Sequence, residues 1–326
     1  MSAPRHDPGV ELAVHNDGFV HNHGQETRFR RQVVGWAQEH RRMSEPFIGR
    51  EAITRGKLTR GQLRARYVAV HPGVYFPKGA RPTLAARASA AWLWTGRHGV
   101  ISGRAAAALH GAKWVDATTP IEIIAEHGRR RDGVIVREER VGDDEVVVIG
   151  DLPVTSSART AFDLARHLPR DAAVVHLDAL AAATGVSAAD TAPLARRYRG
   201  ARGVRSADVA LDLMDAGAAS PQETRLRLTL IDGGLPRPRT QIRVTDGYSE
   251  AFIDMGYDEP KVGLDYEGAH HATSRGQYVH DIGRAELLDR EGWIDLRVVA
   301  EHSRRFILHR VREAFARRGW IPPSST

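Results

Sequence analysis

The sequence predicts a mixed α/β (α+β) protein with a small winged-helix region ahead of larger α/β parts, and three stretches carry that expectation. In residues 59–77 a short basic helix runs into a two-stranded hairpin. In residues 84–166 Ala-rich helical patterns alternate with short β-branched runs. In residues 251–271, AFIDMGYDEPKVGLDYEGAHH, two apolar strands flank a turn and carry acidic residues near their ends.

Composition narrows the classes. A chain of 326 residues has room for two or three domains, and its 42% hydrophobic content matches a packed core. A formal charge of +7 and a pI near 10.0 favour an anionic partner such as nucleic acid, with a solvated basic surface as the alternative. With no cysteine, disulfides, Cys-ligated zinc and thiol nucleophiles are excluded together, in keeping with a reducing cytoplasm. No apolar run approaches the roughly 20 residues of a membrane helix, and the N-terminus lacks a charged-then-apolar signal. The expectation is a cytoplasmic protein with no membrane partner.

Residues 1–43 are polar and aperiodic, and read as a disordered leader or as sequence upstream of a start at Met43. His21-Asn22-His23 spells HNH, but a nuclease of that name spreads its residues over a ββα unit. Residues 44–82 come next. Thr59 and Gln62 form a capping-box pattern opening a helix over Arg60–Tyr67, which carries Arg60, Arg64 and Arg66. Val68 and Val70, a turn at His71-Pro72-Gly73, then Val74 and Phe76 read as a hairpin. A basic helix followed by such a wing is the pattern of a DNA-reading winged helix-turn-helix; a small capping subdomain is the alternative.

Over residues 83–170 the reading is a helix across 84–100, Ser102 capping a helix stopped by Gly111, strands at 121–126 and 133–139, and a cap at Ser156 or Ser157. His110, beside the stop glycine, reads as a capping or packed histidine. Three landmarks, HPGVYF, SGRAAAALHG and LPVTSSARTAFDLA, make residues 46–170 resemble the AbiEi-type antitoxins of abortive-infection systems. That resemblance implies DNA binding through the winged region and, for an antitoxin, a cognate toxin as partner. Residues 171–216 read as a helical connector. Within it RRYRGARGVR, with Arg196, Arg197, Arg199 and Arg202, is a phosphate-binding stripe or a solvated face.

Residues 217–326 carry the chemistry. Strand side chains alternate, so Asp265 and Glu267 share a face, and a hairpin brings Asp254 near it. Converging carboxylates repel unless a cation lies among them, and oxygen-only ligands select a hard ion, Mg²⁺ or Mn²⁺. Such a centre suits phosphodiester hydrolysis. Ser220-Pro221-Gln222-Glu223 is a full capping-box pattern, leaving Glu223 open between cap and ligand. His270 or His271 offers a proton relay; zinc on His270, His271 and His280 fits no common ligand spacing. Asp281 and Arg284 lie three apart on a helix, as an ion pair, with Arg284 on phosphate, or with Asp281 orienting the histidine.

The order of these features resembles the PD-(D/E)XK superfamily, in particular the very-short-patch-repair-like branch that contains the DUF559 proteins. The matching residues are Glu223 on a helix, Asp254, the Asp265-x-Glu267-Gly268 element with a nearby histidine, and Asp281 with Arg284 ahead of the strand after Gly292-Trp293. The resemblance implies a restriction-endonuclease-like α/β domain with a mixed central sheet. It also implies Mg²⁺- or Mn²⁺-dependent DNA cleavage at Asp254 and Asp265. The superfamily's lysine slot holds Glu267, and the branch's Glu-x-Asp order is reversed. Two rivals stand beside a nuclease: a non-catalytic DNA-binding regulator or antitoxin with a retired nuclease fold, and an acid-rich core in which Asp254 pairs with an arginine.

Overall fold

A computed structural model of the chain describes residues 45–126, 131–268 and 275–323; the leader, the HNH triplet, His270 and His271 lie outside them. The fold is α+β. Among the described residues, eleven helices are distributed over three sheets of three, five and four strands. All of these elements belong to the compact unit Pro46–Thr326.

The first sheet holds β1 (Phe47–Ile48), β2 (Tyr67–His71) and β3 (Val74–Pro77) in the antiparallel order β1-β3-β2, with α1 (Gly49–Thr54) and α2 (Arg60–Arg66) between β1 and β2. The capping box is formed: Gln62 N–H donates to Thr59 Oγ1 at 3.1 Å and Thr59 N–H to Gln62 Oε1 at 2.8 Å. Tyr67 leaves the helix to start β2, burying its ring edge-on against Phe47, with centroids 4.9 Å apart. Sequence pattern alone misses α1, because Ile48 at its N-cap makes no side-chain cap bond.

In the second sheet the order is β6-β5-β4-β8-β7, from β4 (Val100–Ser102), β5 (Ile121–Ile124), β6 (Val134–Arg137), β7 (Val146–Ile149) and β8 (Leu152–Thr155). The helix α3 (Leu84–Trp94) stops short of the expected 100, ending at Thr95 before Gly96 (φ 70°) turns the chain back. Ser102 precedes α4 (Gly103–Leu109) but makes no cap bond, and its hydroxyl is buried. His110 is packed, its Nε2 lying 2.7 Å from the Thr155 carbonyl oxygen.

The region read as a connector is a core in its own right. Helices α5 (Ser157–His167), α6 (Arg170–Thr184), α7 (Ala188–Arg197) and α8 (Val204–Asp212) pack with α9 (Pro221–Asp232). Leu164, Leu177, Leu180, Leu211 and Leu228 meet in one cluster. A buried ion pair joins α6 to α9. Arg227 donates to Asp178 Oδ2 at 2.7 Å and to the Leu213 carbonyl at 2.7 Å, and Thr224 Oγ1 donates to the same carboxylate at 2.8 Å. No single helix among the described residues is long and apolar enough to cross a membrane, and α6 with α7 makes a pair bent by 116°.

The third sheet is mixed, in the order β12-β11-β10-β9: β9 (Arg239–Thr245), β10 (Glu250–Tyr257) and β11 (Val262–Tyr266) are antiparallel, and β12 (Ile294–Val298) lies parallel to β11. A parallel neighbour needs a crossover, which α10 (Arg275–Arg290) supplies. Leu226 and Leu230 of α9 and Val311 and Phe315 of α11 (Arg304–Arg317) cover one face of the sheet, against Met255 and Leu264. Leu287 and Leu288 of α10 pack with Ile242 and Ile253.

Removing one partner of the Asp178–Arg227 pair strands the other charge. Arg227→Ala is expected to cost about 3–5 kcal/mol, read as a lowered urea midpoint, with Asp178→Asn partly restoring the loss in the double variant.

Candidate functional site

The site is made by an irregularity in β10. Ile253 packs with Leu287 and Leu288, whereas Met255, two residues on, packs with Leu226 and Leu264. Regular alternation would keep both on one face, so the side-chain order flips at Asp254. Beside it on β9, Gln241 takes a left-handed conformation at φ 48°. Gly263 on β11 permits the flip, since a Cβ there would meet Ile253 Cγ2 at 2.7 Å.

At this point the two strands exchange side-chain rather than ladder bonds. Asp254 N–H donates to Asp265 Oδ1 at 2.9 Å, and Tyr266 N–H donates to Asp254 Oδ2 at 2.8 Å. The convergence of Asp254 with Asp265 expected from sequence is therefore present. Burial pushes the Asp254 carboxyl up to about 7; Glu223 and Asp265 add to the rise, while the Tyr266 N–H opposes it.

Arg284, on α10, is the counter-ion. Its guanidinium pairs with Asp265 Oδ2, reaches Asp295 Oδ2 at 3.3 Å and donates to the Phe252 carbonyl at 3.2 Å. The helix pair anticipated between Asp281 and Arg284 is replaced by this one, and Asp281 lies 3.9 Å from His280 Nδ1. With its side chain 15% exposed and held by two carboxylates, Arg284 is not presented to a phosphate. The rival in which Asp254 pairs with an arginine is likewise redirected, since the arginine meets Asp265.

Glu223 serves as a cap and lies close enough for its charge to act on Asp254. Its N–H donates to Ser220 Oγ at 3.2 Å; its Oε2 accepts from Ala219 N–H at 2.9 Å, one residue before the position a capping box uses. Glu267 departs from the expected cluster. It is exposed just beyond the end of β11 and pairs with Arg297 at 2.6 Å.

Sequence reading missed Asp295, which sits on β12 opposite Gly263. Burial pushes its carboxyl up to about 6, and the neighbouring Asp265 carboxyl adds to the rise. Its Oδ1 is buried without a partner. GWIDLRVV reads as an ordinary core strand, and only the parallel pairing with β11 reveals what its Asp faces.

Asp254, Asp265 and Asp295 thus lie together, with Glu223 near enough to act on Asp254; Arg284 pairs with Asp265 and Asp295, and Arg297 Nε lies 3.7 Å from Asp295 Oδ2. A partly desolvated surplus of negative charge with an orphaned carboxylate oxygen suits a hard divalent cation. Among the described residues, one trio brings ligand atoms within 4.8 Å of one another, and it is Glu139, Asp163 and His167. There the charge is already balanced, as Arg166 bonds both carboxylates and Arg159 grips Asp163 at 3.0 Å.

Of the predicted DNA-contacting arginines, Arg60, Arg64 and Arg66 project from α2, exposed, with no carboxylate within 4 Å among the described residues. Arg196, Arg199 and Arg202 are also exposed. Arg197 is committed to Asp144 at 2.8 Å and to Glu145.

No family model matches the chain. The fold and the site define an α+β protein with a carboxylate centre on a mixed sheet. Two relatives come from Mycobacterium tuberculosis, the uncharacterized protein MT2308 of strain CDC 1551 and the uncharacterized protein Rv2248 of strain H37Rv. Each is 30% identical over 240 residues, covering 73% of this chain and 87% of the relative. The chain belongs to the same family as these mycobacterial proteins.

A folded-state pKa near 7, against about 3.9 unfolded, gives Asp254 a stability contribution that is present below pH 4 and lost as pH rises through 7. In chelator, Asp254→Asn is therefore expected to melt higher than wild type at pH 8, by on the order of 1–2 kcal/mol after allowance for partial solvent screening. The difference should shrink towards pH 4; a constant offset would show that repulsion and desolvation at Asp254 are not its source.

Proposed function

We propose that this chain is a divalent-metal-dependent DNA endonuclease acting in the cytoplasm, with a winged-helix region that holds duplex DNA. The observation that carries the reading is the reciprocal lock of Asp254 and Asp265 inside a surplus of carboxylate charge. The order α9, β10, β11, α10, β12 supports it, being the order in which the PD-(D/E)XK resemblance needs Glu223, the two acids and the Asp281–Arg284 helix.

In this reading Asp254 and Asp265 would hold Mg²⁺ or Mn²⁺, their carboxylates being fixed by the backbone N–H bonds from Asp254 and Tyr266. The bound ion would supply positive charge to the phosphodiester and acidify water at the site. Arg60, Arg64 and Arg66 neutralise backbone phosphates and set affinity without reading sequence. A second reading, a DNA-binding regulator that does not cut, is favoured by Glu267, which stands in the lysine slot and pairs with Arg297. A cognate toxin belongs with that reading.

Nicking of supercoiled DNA with Mn²⁺ or Mg²⁺ decides between them. Wild type is expected to nick and Asp254→Ala to lose nicking while binding DNA equally well; binding by both with cleavage by neither would leave the regulator. Replacing Arg60, Arg64 and Arg66 by Ala is expected to weaken binding on all sequences alike and to flatten the slope of log K against log salt by roughly 2–3.

A further inference from the structure

Helix α11 packs one face against the third sheet through Ile307, Leu308, Val311 and Phe315, which leaves its other face to solvent. Along that exposed side His302, in the turn before the helix, is followed at intervals of four by Phe306 and Arg310. Groups spaced by four on a helix stand one above another. The rings of His302 and Phe306 meet edge to face with centroids 4.9 Å apart, and the Arg310 guanidinium lies 5.6 Å from the Phe306 centroid. Phe306 is still 44% exposed and stands outside the apolar cluster beneath the helix.

The charge around this ridge is uncompensated. Arg304 and Arg305 are exposed on the first turn, and neither they nor Arg310 has a carboxylate within 4 Å among the described residues. The acid of the helix, Glu313, is taken by Arg317 at 2.7 Å, and Glu301 in the preceding turn pairs with none of them. The ridge also leads to the carboxylate centre. Arg310 donates to the Arg297 carbonyl at 2.6 Å; Arg297 pairs with Glu267 at 2.6 Å, and its Nε lies 3.7 Å from Asp295 Oδ2.

Unpaired cations draw any polyanion through its phosphates. An exposed aromatic ring among them adds a stacking platform, which a base serves only when it is free of its own helical stack. We propose that the face of α11 bearing Arg304, Arg305, Phe306 and Arg310 binds single-stranded DNA, with a base stacked on Phe306 and backbone phosphates on the arginines. The inference rests on the reading of DNA as the ligand and narrows its substrate class to DNA whose strand beside the carboxylate centre is unpaired.

Binding of the full-length protein to labelled single-stranded and duplex oligonucleotides tests this, by fluorescence anisotropy over a salt series in chelator, where cleavage plays no part. Phe306→Ala is expected to weaken single-strand binding by about fivefold or more and duplex binding by less than about twofold. Phe306→Trp, which keeps a stacking face, is expected to retain the single-strand affinity. Arg304→Ala combined with Arg305→Ala should flatten the slope of log K against log salt on the single strand by roughly 1.4. Single-strand binding unchanged in these variants, an equal loss on both substrates in Phe306→Ala, or a wild type that holds duplex and not single strand overturns the inference and leaves the nuclease reading and the α2 contact standing. Wild type that binds neither substrate overturns both. Binding as expected here with no cleavage when metal is added counts against the carboxylate centre and leaves the α11 face in place.

Discussion

A guanidinium taken out of water must meet carboxylates and carbonyls, and four arginines among the described residues are in that position. Arg159, Arg166 and Arg227 have side chains 1%, 2% and 0% exposed, and Arg284 is 15% exposed. Each stands where separate stretches of chain meet. Arg159 and Arg166 draw Glu139 onto α5, and Arg159 also holds Glu145; Arg227 fastens α9 to α6 and to the end of α8; Arg284 ties α10 to β11 and β12. Arginine suits these places because its planar fork makes several directed bonds at once. Part of the basic composition is thus interior structure, and net charge by itself overstates the surface available to a polyanion.

The same rule explains why the third sheet carries a site. At the first three arginines charges are balanced within their networks. At Arg284 they are not, because Glu223, Asp254, Asp265 and Asp295 outnumber Arg284 and the nearby Arg297 together. The surplus is kept where the strand alternation breaks, and the break itself needs Gln241 at φ 48° and a glycine at 263. Local backbone irregularity and unbalanced charge therefore coincide in the third sheet.

Much of this was readable along the chain. The Thr59–Gln62 capping box, the hairpin from Tyr67 to Pro77, the cap at Ser156 and the acidic hairpin are set by neighbours in sequence, and they form. Misreadings fall where partners are remote. Glu267 has the expected spacing from Asp265 yet meets Arg297, 30 residues away, and Arg284 passes over Asp281 for carboxylates 19 and 11 residues away.

The sequence by itself determined the α+β class, the short caps and turns, and the placing of Asp254 against Asp265, because hydrogen bonds within a few residues and a hairpin register are local constraints. The tertiary structure alone decided that the connector is a core, that Asp295 joins the acids and that Glu267 leaves them. Those outcomes depend on a parallel strand delivered by α10 and on which buried charge each arginine reaches first. No periodicity within a single segment encodes either.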